Sequence, residues 1–317
     1  MNKNKQDIVQ LNEAYFKSLA NSRASISMLN LSFVGLLISL INLYPPYALL
    51  TLVQGINPME NGFYLFLLVI SVLLLFCSFL SRLNGLIYKH QVFSTSVLLL
   101  MMTLLLLSFI IMGHGFAVYS STDLNLGSPL SNLYFVLTFS FFLICMVYNV
   151  SWLKKQLSLG FSNKRAAANF LASKGVYQSA SLWFIFGFSL IGSLLTGFVK
   201  QFLGFALSIL LLASFSRLLI EVSYLIFLKT KNKVYWEKFT QQEKQRTFLK
   251  KLSLKSTSLR LVIEGAVCLS ALWAVGTHQL KEGAYTLIRV VVILFVLDCL
   301  ISFIRWFIAK SKKEGIK

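Results

Sequence analysis

The chain has 317 residues, 56% of them hydrophobic and only 13% charged, with a formal net charge of +19 and a mean hydropathy of +0.72. A soluble domain is about 45–50% apolar and 25% charged, so the composition argues against soluble domains, and the apolar runs lack the roughly ten-residue alternation of an outer-membrane barrel. What remains is an all-α integral membrane protein, a polytopic bundle of about eight transmembrane helices with short outer loops and basic cytoplasmic loops.

In chain order, residues 1–28 form a polar segment that places Ile8, Leu11, Tyr15 and Leu19 on one helical face. That pattern predicts an amphipathic helix lying in the membrane interface. The transmembrane domain, 29–308, holds eight apolar runs of about the 20 residues that a span needs: 29–53, 63–81, 92–112, 131–151, 180–199, 202–228, 260–279 and 285–308. The first is long and has no small-residue cleavage motif, so it is expected to be a retained span rather than a signal peptide. Tyr44–Tyr47, "YPPY", should kink or end it near the outer interface. The connection after span four reads "SNKRAAANFLASKG", a short helix capped at Ser162 and stopped at Gly175. The connection after span six contains the capping box "TQQE" before a second short helix. A basic tail, 309–317, closes the chain.

Lysine and arginine fix the expected orientation. Twenty-six of the 30 lie before span one, in the 2–3, 4–5 and 6–7 connections, or from Arg305 onward. Only Lys200 and Lys281 fall in connections on the other side; Arg217 and Arg289 lie within spans. Both termini are therefore predicted to be cytoplasmic, in a cell membrane of bacterial character. The positive charge becomes a topology signal and an attraction for anionic lipid headgroups, so no nucleic acid is needed to explain it. The basic connections 152–179 and 229–259 could also dock a cytoplasmic protein or ATPase.

Spans one to five carry no Asp, Glu, Lys or Arg in their interiors, whereas spans six to eight carry Arg217, Glu221, Glu264 and Asp298, with Arg289 and Arg305 nearer the ends. An ionised group at mid-bilayer costs at least about 2.5–3.5 kcal/mol, so these acids need partners or water. At about 1.5 Å of rise per residue, Arg217 and Asp298 both lie roughly 15 Å from the cytoplasmic end of their spans. Asp298 is expected to pair with Arg217, and Arg305 to serve Glu264, with Glu221 bridging. Arg217, Glu221, Glu264, Asp298 and Arg305 would then form one polar seam. Such a seam is either a lock that fixes helix register or a polar, proton-linked pathway.

Other features are weaker. Ser189, Ser193 and Gly197 form a small-residue stripe suited to close helix packing. His114 lacks a second ligand for a metal, and Asn149 suits packing. Cys77, Cys145, Cys268 and Cys299 all lie in apolar runs without metal-site spacing. The chain has no P-loop, no H-E-x-x-H and no G-x-S-x-G. No enzyme, metal or cofactor is expected. Two function classes stay open. One is a transporter, or the membrane subunit of a transport system. The other is a non-catalytic membrane interaction protein, protective against a membrane-active peptide or accessory to a cell-envelope complex.

Overall fold

Runs of Leu, Phe, Ile and Val too long for a strand, with few charges to break them, leave the backbone one way to satisfy its polar groups in lipid, the helix. The computed structural model describes residues 5–52, 58–119, 123–173, 199–237, 257–276, 284–295, 297–298 and 301. Among them there is no strand. The helices are α1 (Lys5–Ala20), α2 (Ser32–Leu52), α3 (Pro58–Leu80), α4 (Asn84–Lys89), α5 (Gln91–Val118), α6 (Pro129–Leu159), α7 (Asn163–Ser173), α8 (Val199–Lys231) and α9 (Thr257–Gly276). A last apolar helix, α10, covers Ala284–Phe295. A 3₁₀ turn, Ile26–Leu31, leads into α2.

Five helices are long and apolar enough to cross a membrane: Ile26–Leu49, Pro58–Leu80, Gln91–Val118, Pro129–Leu159 and Lys200–Lys231. They match the predicted spans one to four and six. Two shorter apolar stretches, Ile263–Val275 and Ala284–Phe295, fall within predicted spans seven and eight. The predicted fifth span, 180–199, lies almost wholly outside the described residues, and its stripe of Ser189, Ser193 and Gly197 lies entirely outside them. So do Gly175, the "TQQE" segment, Cys299 and Arg305. The first span does not end at its prolines; α2 runs through Pro45 and Pro46 to Leu52. Proline frees only the carbonyl four residues earlier, and neighbouring helices make such a loss tolerable in a membrane.

Helix α5 sits at the centre. It packs against α2 and α3 on one side and α8 on the other, while α6 covers α8 and α9 covers α3 and α2. The core contains Leu36, Leu67, Leu74, Leu98, Met101, Leu105, Leu212 and Leu225. Large apolar side chains also point outward, among them Ile41, Val69, Phe139, Ile144 and Val147. A belt of this kind suits lipid rather than water, in keeping with a membrane-embedded helical bundle.

The closest backbone approach is between α5 and α8. A Cβ added at Gly113 would collide with the Ser208 side chain and come within 2.8 Å of the Gly204 carbonyl. One added at Gly204 would collide with the Gly113 carbonyl and come within 2.8 Å of the Ala117 amide. Small residues let transmembrane backbones meet in this way. The pair marks the end of the bundle where α5 finishes and α8 begins.

The opposite end gathers α1, α4, α7, the last turns of α6 and α8, and residues 233–237. Here α1 is not a helix lying free in the interface. Its Tyr15, Phe16 and Leu19 are buried, with the Tyr15 ring stacked on Phe161 at 3.7 Å and Phe16 against Tyr224. Gly160, at φ +78°, ends α6 under α1; a side chain there would press on Ile8 and Leu11. α7 also packs on α1. α7 thus lies at this end of the bundle, whereas α8 begins at the far end. Helices α5, α6 and α8, at 28, 31 and 33 residues, are about 42–50 Å long. They exceed the roughly 30 Å hydrocarbon core, so their ends overhang it.

Candidate functional site

Three charge clusters occupy the basic end. The first centres on Glu221, on α8, whose side chain is fully buried. Arg23 donates to its Oε2 at 2.9 Å, the Tyr15 hydroxyl to its Oε1 at 2.7 Å, and Arg217 Nε to Oε1 at 3.3 Å. Arg23 is held in turn by Asn169 Oδ1 of α7, at 3.1 and 2.7 Å, and Asn169 donates to Ser18 at 2.8 Å. One carboxylate therefore ties α1, α7 and α8 together. Burial, helped by the neighbouring carboxylate, pushes the Tyr15 phenol well above its usual range, so it acts as a neutral donor. Arg217 also lies over the Trp152 ring of α6, 3.7 Å from its centroid, and Arg165 of α7 lies 5.2 Å from the same ring.

The second cluster joins α9 to the end of α10. Arg260 grips Asp298 with one edge of its guanidinium, Nη2 at 2.6 and 2.7 Å and Nε at 3.2 Å. Glu264, one turn along α9, has Oε1 3.3 Å from Arg260 Nε, while its Oε2 is buried without a hydrogen-bond partner. The Asp298 charge also acts on Glu264. Two carboxyls thus share one guanidinium. The group is only partly buried, with Arg260 42%, Glu264 34% and Asp298 25% exposed.

The third cluster is a bracket around Glu237. Its Oε1 accepts from the Ile26 amide at 2.8 Å and from Lys229 at 3.4 Å, and its Oε2 from Ser25 at 2.9 Å. Its backbone exchanges two bonds with the Gln91 side chain, at 2.7 and 2.9 Å. Burial raises the Glu237 carboxyl above its usual range, against the opposing pull of Lys229 and its other donors. This bracket fixes the entry to the first span against α5 and the exit of α8.

The single expected seam is therefore divided. Arg217 does not pair with Asp298; it serves Glu221, and Asp298 takes Arg260. Equal depth in the bilayer is not enough for contact. α8 packs on α5 and α6, whereas α9 packs on α2 and α3, so the two sets of charges sit on different sides of the bundle. Glu221 does not bridge to Glu264 for the same reason. Tyr15, Arg23, Asn169 and Arg260 were not expected as partners: the first two lie in the N-terminal segment, Asn169 in a connection, and Arg260 at the very start of a predicted span. An i,i+4 spacing between Arg260 and Glu264 was the available signal.

Toward the far end, His114 is fully buried, with Nε2 2.8 Å from Ser131 Oγ and Phe135 stacked on its ring at 4.5 Å. Tyr134 donates to the Ile110 carbonyl at 2.7 Å and lies in hydrogen-bond contact with Ser208. Asn149 joins α6 to α8 through Ser216, at 3.0 Å. Among the described residues no group of three His, Cys, Asp or Glu side chains could hold a metal ion. Comparison with protein-family models, with characterised proteins and with solved structures returns no match.

Proposed function

We propose that this chain is a non-enzymatic, multi-pass carrier, or the membrane subunit of a transport system, in a bacterial cytoplasmic membrane. The basic end faces the cytoplasm in this reading, as the positive-inside rule requires. The observation that carries it is the unequal charge of the α9–α10 cluster, where, among the described residues, Glu264 and Asp298 face one guanidinium, that of Arg260. The trio is neutral only when one carboxyl holds a proton. Asp298 takes the two-nitrogen contact of Arg260. Glu264 is the proton carrier, since its Oε2 is buried with no donor among the described residues. Loss of that proton leaves a net negative charge between two apolar helices, and a shift of α10 against α9 relieves it. Intramembrane carboxyls of this kind mark proton-linked pathways.

The described part of connection 152–179 supports a carrier that works alone rather than one that docks an ATPase, since α7 packs against α1 of the same chain. The alternative, a membrane interaction protein, draws its support from the Glu221 cluster. There three donors hold one buried carboxylate, as a structural lock requires. Proteoliposomes with a trapped pH-sensitive dye and an imposed membrane potential separate the two. A carrier moves protons in the wild type and not in Glu264→Gln. Wild-type traces equal to those of empty liposomes, or Glu264→Gln traces equal to wild type, overturn the transport reading.

A further inference from the structure

The Glu221 cluster carries too much positive charge for its one acid. Arg23 and Arg217 both contact Glu221, and Arg165 approaches through Trp152, which it shares with Arg217. Two guanidiniums thus meet one carboxylate, and a third lies beside the ring that carries one of them. Arg217 spends only Nε on Glu221, and its side chain is 38% exposed. Arg165 makes no ion pair among the described residues, and its Nη1 is buried without a hydrogen-bond partner. A guanidinium nitrogen stripped of water and lacking an acceptor is costly unless something supplies the acceptor.

We infer that Arg165 and Arg217, spread over Trp152, bind the phosphate of an anionic membrane lipid. Guanidinium forks match phosphate oxygens with two parallel charge-assisted bonds, and a phosphodiester headgroup neutralises part of the local excess. The position fits a lipid rather than a free ion. Trp152 lies seven residues before the end of α6, about 10 Å up the helix, at the level where tryptophan favours the membrane interface. Lys154 and Lys155, in the same turn, are exposed, as are the amphipathic Tyr148 and the apolar Val150 just before Trp152. Trp152 orients the two cations by stacking, and the headgroup reaches them from the side where Arg217 is exposed. A lipid bound there would brace α6, α7 and α8 at the joint that also receives α1. The inference rests on the basic end meeting an anionic leaflet and is independent of any transport.

The test uses the full chain in phosphatidylcholine nanodiscs, doped with phosphatidylglycerol or supplied with inorganic phosphate, read by thermal stability and by native mass spectrometry of retained lipid. Phosphatidylglycerol should raise the melting temperature of the wild type and remain bound, whereas inorganic phosphate should not. Arg165→Gln should weaken retention about tenfold or more, the loss of one charge-assisted contact to phosphate. Lys89→Gln removes an exposed charge at the same end of the bundle and should change nothing. No phosphatidylglycerol effect on the wild type overturns the anionic-leaflet premise. An equal effect in Arg165→Gln, or equal losses in Arg165→Gln and Lys89→Gln, overturns the site. An equal effect of inorganic phosphate overturns the lipid as its ligand.

Discussion

Replacing Arg23 with methionine isolates what holds the N-terminal helix to the bundle. The change keeps most of the side-chain volume and removes the 2.9 Å contact to Glu221 and both bonds to Asn169. Breaking a buried ion pair from one side costs about 3–5 kcal/mol, because the remaining charge stays buried. Glu221 would keep Tyr15 and the part-exposed Arg217, which places the loss at the low end, about 3 kcal/mol. That loss falls on the docking of α1 and α7 rather than on the membrane core, so the opening of α1 is the quantity to read. Hydrogen exchange across residues 5–20 should speed up about 100-fold, since each 1.4 kcal/mol is tenfold, while α5 keeps its protection. Adding Glu221→Gln removes the stranded charge, and the double variant should regain at least about 1 kcal/mol. Unchanged exchange in α1 of Arg23→Met would refute the claim that Glu221 is the anchor.

Other consequences follow from the same contacts. Tyr15 has a raised phenol, so its stabilising share is complete below the unfolded value of about 10 and is lost as pH climbs through the folded value. Thermal melts should therefore weaken above roughly pH 10 in the wild type and less so in Tyr15→Phe. Lys229→Met strands the buried Glu237 carboxylate and should cost about 3–5 kcal/mol, most of it regained by adding Glu237→Gln; additive losses would exclude the pair. Gly204→Val drives a branched side chain into the Gly113 carbonyl and Ala117 and should cost about 1–3 kcal/mol or more by overpacking. Gly62→Val, where nothing lies nearby, serves as its control in the same melts. Tyr64→Phe loses the 2.5 Å bond to the Leu272 carbonyl, worth about 1 kcal/mol net.

Helix type, and the approximate limits of the long apolar helices, were legible because lipid leaves only one way to pair a backbone and apolar length measures a span directly. The acids Glu221, Glu264 and Asp298 were legible as needing partners, because an ionised carboxylate in an apolar span is costly whichever helix carries it. Which partner each acid takes was not. Depth along a helix comes from counting residues, but the lateral order of helices comes from side-chain fit, as where Gly113 meets Gly204. Asp298 was thus assigned to an arginine at its own depth on the wrong side of the bundle. Tyr15 was correctly placed on the apolar face of α1, yet periodicity alone cannot show that the face is covered by protein rather than lipid. Arg23 and Arg260 were counted as topology signals, and each also closes a charge cluster.

The central claim is that the α9–α10 trio holds a proton on Glu264. Infrared spectroscopy of the protein in lipid, titrated around neutral pH, observes it without any need to know a substrate. The account predicts a protonated-carboxyl carbonyl band in the wild type that disappears in Glu264→Gln and persists in Glu221→Gln. A wild-type spectrum with no such band, or a band untouched by Glu264→Gln, would contradict it.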